Sequence, residues 1–379
     1  MMSPQARHRF ICVAVTLRWL AAVAAEAQTV AGRVLDRALG GPVGSGFVVL
    51  VDTVGREVAR TLASPEGRFA LDAPAPGTYR LRSERIGYRP SVSEPVVVGI
   101  GQTLERTLAV DAIPIDLEAV VVATDDRCRI SPADADATAA VWEEIRKALA
   151  AAAWTSRQSV YQYVRHRYDR RLDANGRLVR EEWSQTTTGY DGAPFASIPA
   201  RDLARDGFIV ERSDGVWYYA PDANVLRDPA FLDTHCFRVR IGQREGRPAL
   251  GLAFEPVRAR DVPDVRGVLW VDARTAALRV MEFQYTGVPH GIRDDRVGGM
   301  VEFFGLPAGE WIVRRWRIRA PLAAVRTGLT PGDRRVVLQG FQDIGGEVLE
   351  ARGPKGDVIF ADSTSEIMRE VPRSQSRSP

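Results

Sequence analysis

The segment Ser64–Phe69 reads SPEGRF, and shortly after it Ala75–Leu81 reads APGTYRL. Pro and Gly mark a turn in each segment, and each turn leads into alternating apolar and polar residues. Such alternation is typical of a strand with one buried face. Further short strands with turn residues between them extend over 28–124, so this part of the chain predicts a small β-sandwich.

Four motifs in this part occur in a characteristic order. GRVLD at Gly32–Asp36 comes first, SPEGRF and APGTYRL follow, and IGYRP at Ile86–Pro90 closes the series. Together they resemble the carboxypeptidase regulatory-like domain, which implies a prealbumin-like Greek-key sandwich and a non-catalytic accessory module. The predicted strands are Thr29–Asp36, Phe47–Thr53, Glu57–Leu62, Arg68–Asp72, Thr78–Ser83, Val96–Gly99 and Thr103–Ala109, and Leu117–Ala123 would add an eighth.

The N-terminus has the organisation of an export signal. A basic segment, Arg7–Arg9, precedes an apolar run at Phe10–Ala25, and the small-x-small sequence of Ala25–Ala27 suits cleavage before Gln28. Residues 1–27 are therefore predicted to be a signal peptide, and the mature protein is expected in the periplasm or outside the cell. Arg18 within the apolar run favours the alternative, a buried N-terminal helix. No later run approaches the roughly 20 apolar residues of a spanning helix, so no transmembrane segment is expected after cleavage.

Two cysteines, Cys128 and Cys236, remain after the predicted cleavage. An even number of cysteines in an exported protein usually means pairing, so a Cys128–Cys236 disulfide is predicted. Two separate buried thiols are the alternative.

The charge balance excludes one class of partner. The chain has 51 basic and 48 acidic residues, a net charge of +3, and all the basic residues except Lys147 and Lys355 are arginines. A nucleic-acid-binding domain is usually strongly basic, so no nucleic-acid partner is expected. With 45% hydrophobic residues the chain can form packed cores.

A helix is predicted in the linker 125–156. Ser131 can cap it, Pro132 suits the first helical position, and good helix formers continue to Trp154. One stripe of this helix is apolar, at Val141, Trp142, Ile145, Leu149 and Ala152. The stripe predicts packing against a sheet; a lid over a cavity is the alternative.

The range 157–360 predicts a large antiparallel sheet or half-barrel, and 361–379 a disordered tail. The turn sequence DANG at Asp173–Gly176 joins two long alternating segments, which indicates a hairpin. The predicted strands are Val160–Leu172, Arg177–Gly189, Val216–Ala220, Phe237–Gln243, Ala249–Glu255, Gly267–Asp272, Leu278–Tyr285, Gly299–Phe304, Glu310–Arg319, Arg335–Phe341 and Ile344–Ala351. Repeated hairpins after a helix are similar to the half-barrel of periplasmic lipoprotein carriers of the LolA type, which implies a concave face for an acyl chain or another apolar ligand.

Two sets of side chains in this sheet are candidate binding residues. The first set is aromatic and would either line a ligand pocket or form core: Trp270, Phe283, Tyr285, Trp311 and Trp316. The second set, Arg315, Arg317 and Arg319, alternates with apolar residues and so shares one face of a strand. That row would be an anion or lipid-headgroup patch, or simply the solvated face of the sheet.

Catalytic and metal-binding patterns are not found. The four histidines, His8, His166, His235 and His290, are not followed by Glu at +3, so the His-x-x-Glu pair of a zinc carboxypeptidase is missing. The sequence also contains neither a Gly-x-Ser-x-Gly elbow nor a phosphate-binding glycine loop with Lys. No catalytic residue, metal site or cofactor is therefore assigned.

The sequence as a whole predicts a mainly β, two-domain exported protein with one interdomain helix. The leading hypothesis is a non-catalytic binding or scaffolding protein of the bacterial cell envelope, with a lipid, glycan or envelope protein as partner. A lipid-like or apolar ligand would occupy the C-terminal domain. The alternatives are a hydrolase with a dispersed carboxylate site in that domain and a carbohydrate-binding accessory protein.

Overall fold

The computed structural model describes residues 28–112, 132–190, 192–213, 215–257, 260–288, 292, 294–327 and 334–363. The strands of the first part are β1 (Gln28–Asp36), β2 (Phe47–Val51), β3 (Glu57–Leu62), β4 (Arg68–Ala73), β5 (Gly77–Glu84), β6 (Tyr88–Arg89), β7 (Ser91–Val92), β8 (Val96–Val98) and β9 (Thr103–Ala112). The later strands are β10 (Gln162–Asp173), β11 (Leu178–Gly189), β12 (Ile209–Arg212), β13 (Gly215–Tyr218), β14 (His235–Arg244), β15 (Arg247–Pro256), β16 (Val265–Asp272), β17 (Leu278–Tyr285), β18 (Gly298–Gly305), β19 (Trp311–Thr327), β20 (Arg334–Arg352) and β21 (Val358–Ala361). The helices are α1 (Pro132–Thr155), α2 (Ala200–Asp206) and α3 (Pro229–Leu232).

The first nine strands form two packed sheets. One has the order β4-β1-β9-β6, and the other has the order β3-β2-β5-β7 with β8 also paired to β5. Strand β1 is antiparallel to β4 and parallel to β9. Apolar side chains from both sheets, among them Val30, Leu50, Leu71 and Leu81, meet in one buried core. The alternation seen in the sequence places these residues inward, and the predicted β-sandwich is confirmed.

Gly32 lies on β1 where the backbone of β9 leaves no room for a side chain. A Cβ at this position would lie 1.6 Å from the carbonyl oxygen of Arg106, which belongs to the backbone of β9 and cannot rotate away. We expect Gly32→Ala to lower the free energy of unfolding by about 1–3 kcal/mol, as overpacking typically does. Gly41→Ala is the matched control because a Cβ there would have nothing within 4 Å. Urea unfolding of both variants measures the difference, and equal stabilities would contradict this account.

Both faces of β2 are buried, which explains its unbroken apolar sequence FVVLV. Val48 and Leu50 face the sandwich core. Phe47 and Val49 face the other way and pack with Ala151 of α1. The ring of Phe47 also meets Trp154 edge to face at 5.3 Å. The helix therefore lies directly against the sandwich.

Charged groups join the same helix to the sandwich. Lys147, buried on α1, donates hydrogen bonds to the carboxylate of Glu144 at 2.7 Å and to the carbonyl oxygens of Arg85 and Tyr88 at 3.0 and 2.7 Å. Glu144 in turn accepts a hydrogen bond from the backbone N–H of Gly87 at 2.7 Å. A buried ion pair with this many hydrogen bonds is sensitive to the loss of either partner.

The second part contains a ten-stranded antiparallel sheet and a separate two-stranded sheet of β12 and β13. The order of the larger sheet is β11-β10-β20-β19-β18-β17-β16-β15-β14, and β21 pairs with β20. One face is apolar and packs under α1, whose Ile145 and Leu149 are fully buried with Leu252 and Leu269 of the sheet. The other face, called the outer face below, carries most of the charged side chains of these strands. The predicted mainly β fold, with a sandwich and a C-terminal antiparallel sheet joined by a helix, is confirmed.

The structure corrects one pair of predicted strands. Arg335–Phe341 and Ile344–Ala351 belong to a single 19-residue strand, β20. The polar pair between them, Gln342 and Asp343, interrupts the apolar pattern. These two residues remain in the strand because Gln342 donates to Asp169 on β10 and Asp343 accepts from Arg319 on β19. Cross-strand pairs of this kind stabilise a sheet as apolar pairs do.

Several predictions lie outside the described residues. They are the signal peptide at 1–27, the strand Leu117–Ala123, the helix cap Ser131, Cys128 and the end of the predicted tail after residue 363. Cys236 lies half-buried near the start of β14. The Cys128–Cys236 disulfide stays a prediction. Within the described ranges, no helix is long and apolar enough to cross a membrane.

Candidate functional site

Strand register brings charged residues from distant positions into rows on the outer face. Residues directly opposite each other in adjacent antiparallel strands share a face, so a chain of such pairs defines a row across the sheet. The middle row crosses nine strands. Its members are Arg238, Ala253, Val268, Glu282, Met300, Arg317, Gly345, Tyr168 and Ser184.

The two neighbouring rows are just as polar. One contains Arg240, Gly251, Trp270, Val280, Glu302, Arg315, Glu347, His166 and Thr186. The other contains Arg266, Gln284, Gly298, Arg319, Asp343, Arg170 and Glu181. The predicted row of Arg315, Arg317 and Arg319 is therefore part of a larger charged face.

A groove of about 790 Å3 runs over these rows between β14 and β19. Small residues form part of its floor, since Ala253 and Gly298 leave space where larger side chains would fill it. Its charged lining comprises six arginines and three carboxylates: Arg238, Arg240, Arg266, Arg296, Arg317, Arg319, Glu255, Glu282 and Asp295. With three more cations than anions, the groove, called the arginine groove below, favours an anionic ligand.

Some of these arginines are held by carboxylates. Arg319 donates from Nε and Nη2 to the two carboxylate oxygens of Asp343 at 2.6 and 2.7 Å. These hydrogen bonds raise the pKa of Arg319 above its ordinary value, although burial lowers it. Arg238 donates to Glu255 at 2.8 Å. Bidentate and charge-assisted bonds of this kind position the side chains at the edges of the groove.

Two arginines of the groove, Arg240 and Arg317, are not held by carboxylates of the described residues. Both are exposed, and neither makes an ion pair with another residue in the described part of the chain. They lie on β14 and β19, at the two ends of the groove. Five strand spacings separate them, which corresponds to about 24 Å on a flat sheet. A ligand that meets both guanidinium groups would therefore be extended and carry more than one negative charge.

Arg315 does not line the arginine groove. It lies 3.2 Å from Glu347, 3.9 Å from Glu302 and 3.7 Å from Asp362, so carboxylates surround its guanidinium group. Burial raises the pKa of Glu302 above its ordinary value, and Arg315 opposes that effect. Of the three arginines that the sequence singled out, Arg317 and Arg319 reach the groove.

The predicted aromatic residues are distributed over several places. Tyr285 is fully buried in the core. Phe283 also belongs to the core, and it contributes to the wall of the arginine groove. Trp316 is buried against Phe195, with ring centroids 5.2 Å apart. The structure therefore does not bring the predicted aromatic set into one cavity.

The other two tryptophans have separate roles. Trp270 lies on the outer face, where its ring covers Gly242 and Gly251. Its Nε1 donates to Glu282 at 3.1 Å, and the guanidinium group of Arg244 lies 4.1 Å from the ring centroid. Trp311 is half-buried and lines a smaller apolar cavity of about 210 Å3 on the opposite face of the sheet.

The described histidines have structural surroundings. His235 is buried, stacks on Phe231 at 3.9 Å and lies 3.2 Å from Asp264. His166 is buried on the outer face beside Thr186. His8 and His290 lie outside the described residues. Among the residues that the structure describes, no group of three or more His, Cys, Asp or Glu side chains is placed to hold a metal ion.

Arg238 and Arg240 were not among the binding residues predicted from the sequence. A signal for them is present in the sequence, because FRVR at Phe237–Arg240 alternates arginine with apolar residues, as the strand around Arg317 does.

Comparison with known proteins identifies the first part of the chain. A family model for the carboxypeptidase regulatory-like domain matches residues 29–111. No curated protein matches the sequence. Residues 29–111 thus form a carboxypeptidase regulatory-like domain, as the motifs predicted.

Two solved structures from Bacteroides are similar to the chain at low identity. One is a candidate carbohydrate-binding protein from Bacteroides uniformis, with 10% identity, coverage of 64% of this chain and 98% of that chain, and a TM-score of 0.20. The other is a candidate membrane-associated protein of unknown function from Bacteroides fragilis, with 11% identity, coverage of 85% and 97%, and a TM-score of 0.16. At these TM-scores neither likeness carries an argument about function.

Proposed function

We propose that the protein is a non-catalytic binding protein of the bacterial cell envelope and that its arginine groove binds an acidic oligosaccharide. The observation that carries this proposal is the excess of six arginines over three carboxylates in a groove of about 790 Å3. That volume is within the range of about 300–1,000 Å3 that is usual for ligand sites. The predicted signal peptide at 1–27 supports the envelope location.

Arginine suits carboxylate groups on a sugar chain. Its planar guanidinium group binds a carboxylate through two parallel hydrogen bonds, and it remains charged at any physiological pH. Arg240 and Arg317 are available for such bonds, and their separation along the groove suits several sugar units in a line. The paired Arg238 and Arg319 lie beside them and add positive potential.

A lipid-like ligand in the C-terminal domain has less support. The apolar face of the sheet is filled by α1 and the core, and the apolar cavity beside Trp311 measures about 210 Å3. This is below the usual range for ligand sites of drug size. The likeness to carriers of the LolA type stays a prediction.

The hydrolase alternative also has less support. The carboxylates Glu255 and Glu282, which line the groove, form ion pairs with Arg238 and Arg244. Arginine donors already occupy these carboxylates, whereas a general acid or base must be free to reach the proton that it transfers.

The test is binding of oligogalacturonates of two, four and six units, measured by calorimetry against neutral maltohexaose. We expect the six-unit acid to bind and the neutral sugar not to bind. The double variant Arg240→Gln/Arg317→Gln is expected to weaken binding of the six-unit acid at least tenfold, because it removes two cations that form no ion pair with any described residue. It should weaken binding of the two-unit acid less.

The control is Arg33→Gln/Arg106→Gln, which removes the same net charge from exposed positions on the sandwich. This variant should change affinity less than twofold. An equal loss of affinity in both double variants would show a general charge effect and contradict binding in the arginine groove. A wild-type protein that binds none of the acids would also contradict the proposal.

A further inference from the structure

The smaller apolar cavity has a defined shape. It lies between the C-terminal end of α1 and strands β18 and β19, on the face of the sheet opposite the arginine groove. The apolar residues that line it include Ala152, Ala153, Phe195, Phe303 and Trp311. The exposed Arg157 and Asn224 also line it, so the cavity is reached from solvent past polar side chains.

Tyr163 supplies an unused polar group in this cavity. Its side chain lines the cavity and is only 1% exposed, yet its hydroxyl group makes no hydrogen bond with any described residue. Burial, together with the charge of Glu310, raises the pKa of Tyr163 to about 12. The hydroxyl group is therefore neutral at physiological pH and available as a donor. Buried hydroxyl groups usually have a hydrogen-bond partner, and because Tyr163 lines a cavity, a molecule in that cavity can supply one.

The volume limits the size of that partner. An apolar cavity of about 150 Å3 accommodates a benzene molecule, whereas sites for larger ligands usually start at about 300 Å3. The observed volume of about 210 Å3 lies between these values and suits a single ring with a small substituent.

We propose that this cavity binds one small ring-shaped apolar molecule and that the hydroxyl group of Tyr163 donates a hydrogen bond to an acceptor on its substituent. Ala153 and Trp311 enclose the ring, and the substituent points toward Tyr163. The site is separate from the arginine groove and does not depend on the function proposed for it.

Two probes of nearly equal shape test the proposal. Acetophenone carries a carbonyl oxygen, and α-methylstyrene has a methylene group in its place. We expect ligand-observed NMR to show that the wild-type protein binds both. Tyr163→Phe should weaken the binding of acetophenone about fivefold or more and change the affinity for α-methylstyrene less than twofold. The reason is that only acetophenone accepts the hydrogen bond.

The matched control is Tyr285→Phe. Tyr285 is also fully buried with an unpaired hydroxyl group among the described residues, but it lines neither cavity. This variant should leave both affinities unchanged. Ala153→Phe places a ring in the cavity and should abolish binding of both probes, with a melting curve to confirm folding.

Three outcomes would overturn the proposal. The first is that the wild-type protein binds neither probe. The second is that Tyr163→Phe lowers the affinity for both probes equally, or lowers it for neither probe. The third is that Tyr285→Phe has the same effect as Tyr163→Phe. Since Tyr163→Phe removes one oxygen atom only, its result decides the matter even if Ala153→Phe does not fold.

Discussion

Glu144→Ala is expected to lower the free energy of unfolding by about 3–5 kcal/mol, the usual cost of leaving a buried charge without its partner. The side chains of Glu144 and Lys147 are 5% and 2% exposed, and the Nζ to Oε1 distance is 2.7 Å. Without the carboxylate, the ammonium group of Lys147 keeps only the two carbonyl oxygens of Arg85 and Tyr88. The N–H of Gly87 loses its acceptor as well. Urea unfolding followed by circular dichroism measures the effect.

An exposed pair of the same spacing provides the control. Asp202 and Arg205 are also three residues apart on a helix, at 3.3 Å, but Arg205 is 69% exposed. Solvent screens such a pair, so Asp202→Ala should cost about 1 kcal/mol or less. The double variant Glu144→Gln/Lys147→Met should recover part of the stability, because it removes the unpaired charge. The interpretation fails if Glu144→Ala and Asp202→Ala are equally stable.

The second large effect concerns Trp316. We expect Trp316→Ala to lower the free energy of unfolding by about 3–5 kcal/mol, as loss of a buried aromatic ring commonly does. Its indole is 4% exposed, belongs to the main core and packs on Phe195. The guanidinium group of Arg167 also lies 5.9 Å from the ring centroid. A thermal or denaturant melt measures the loss.

Trp183→Ala is the matched control for this prediction. Trp183 lies on the edge strand β11 and is 47% exposed, so truncation should cost less than about 1 kcal/mol. Trp316→Phe should fall between the wild type and Trp316→Ala, because a smaller ring fills part of the space. If Trp316→Ala were no less stable than Trp183→Ala, the indole would not be a core residue.

The fold depends on two kinds of information, one local to a short stretch of sequence and one that arises only when strands pair. The hairpin at Asp173–Gly176 and the turn at Ser64–Phe69 are local features, and the residues that form them are adjacent in the chain. Local turn chemistry and alternation were therefore enough to predict most strands. The same local pattern failed at Gln342 and Asp343, where partners on neighbouring strands decide the conformation.

The candidate site depends on the second kind of information, the pairing of strands. Arg240 and Arg317 are far apart in sequence, and only the register of the intervening strands places them at the ends of one groove. A shift of one residue in any strand would move its side chains to the opposite face. No pattern within a single strand contains that information.

Sequence patterns were enough to predict the carboxypeptidase regulatory-like domain, the C-terminal antiparallel sheet and the arginine alternation at Arg317 and Arg319. These features depend on side-chain period and on turn residues, which act over a few neighbouring positions. Tertiary packing was needed to show that Phe47 packs on α1, that Trp316 belongs to the core and that Tyr163 lines a cavity. Those outcomes depend on which surfaces meet when the sandwich, the helix and the sheet pack together to remove apolar area from water.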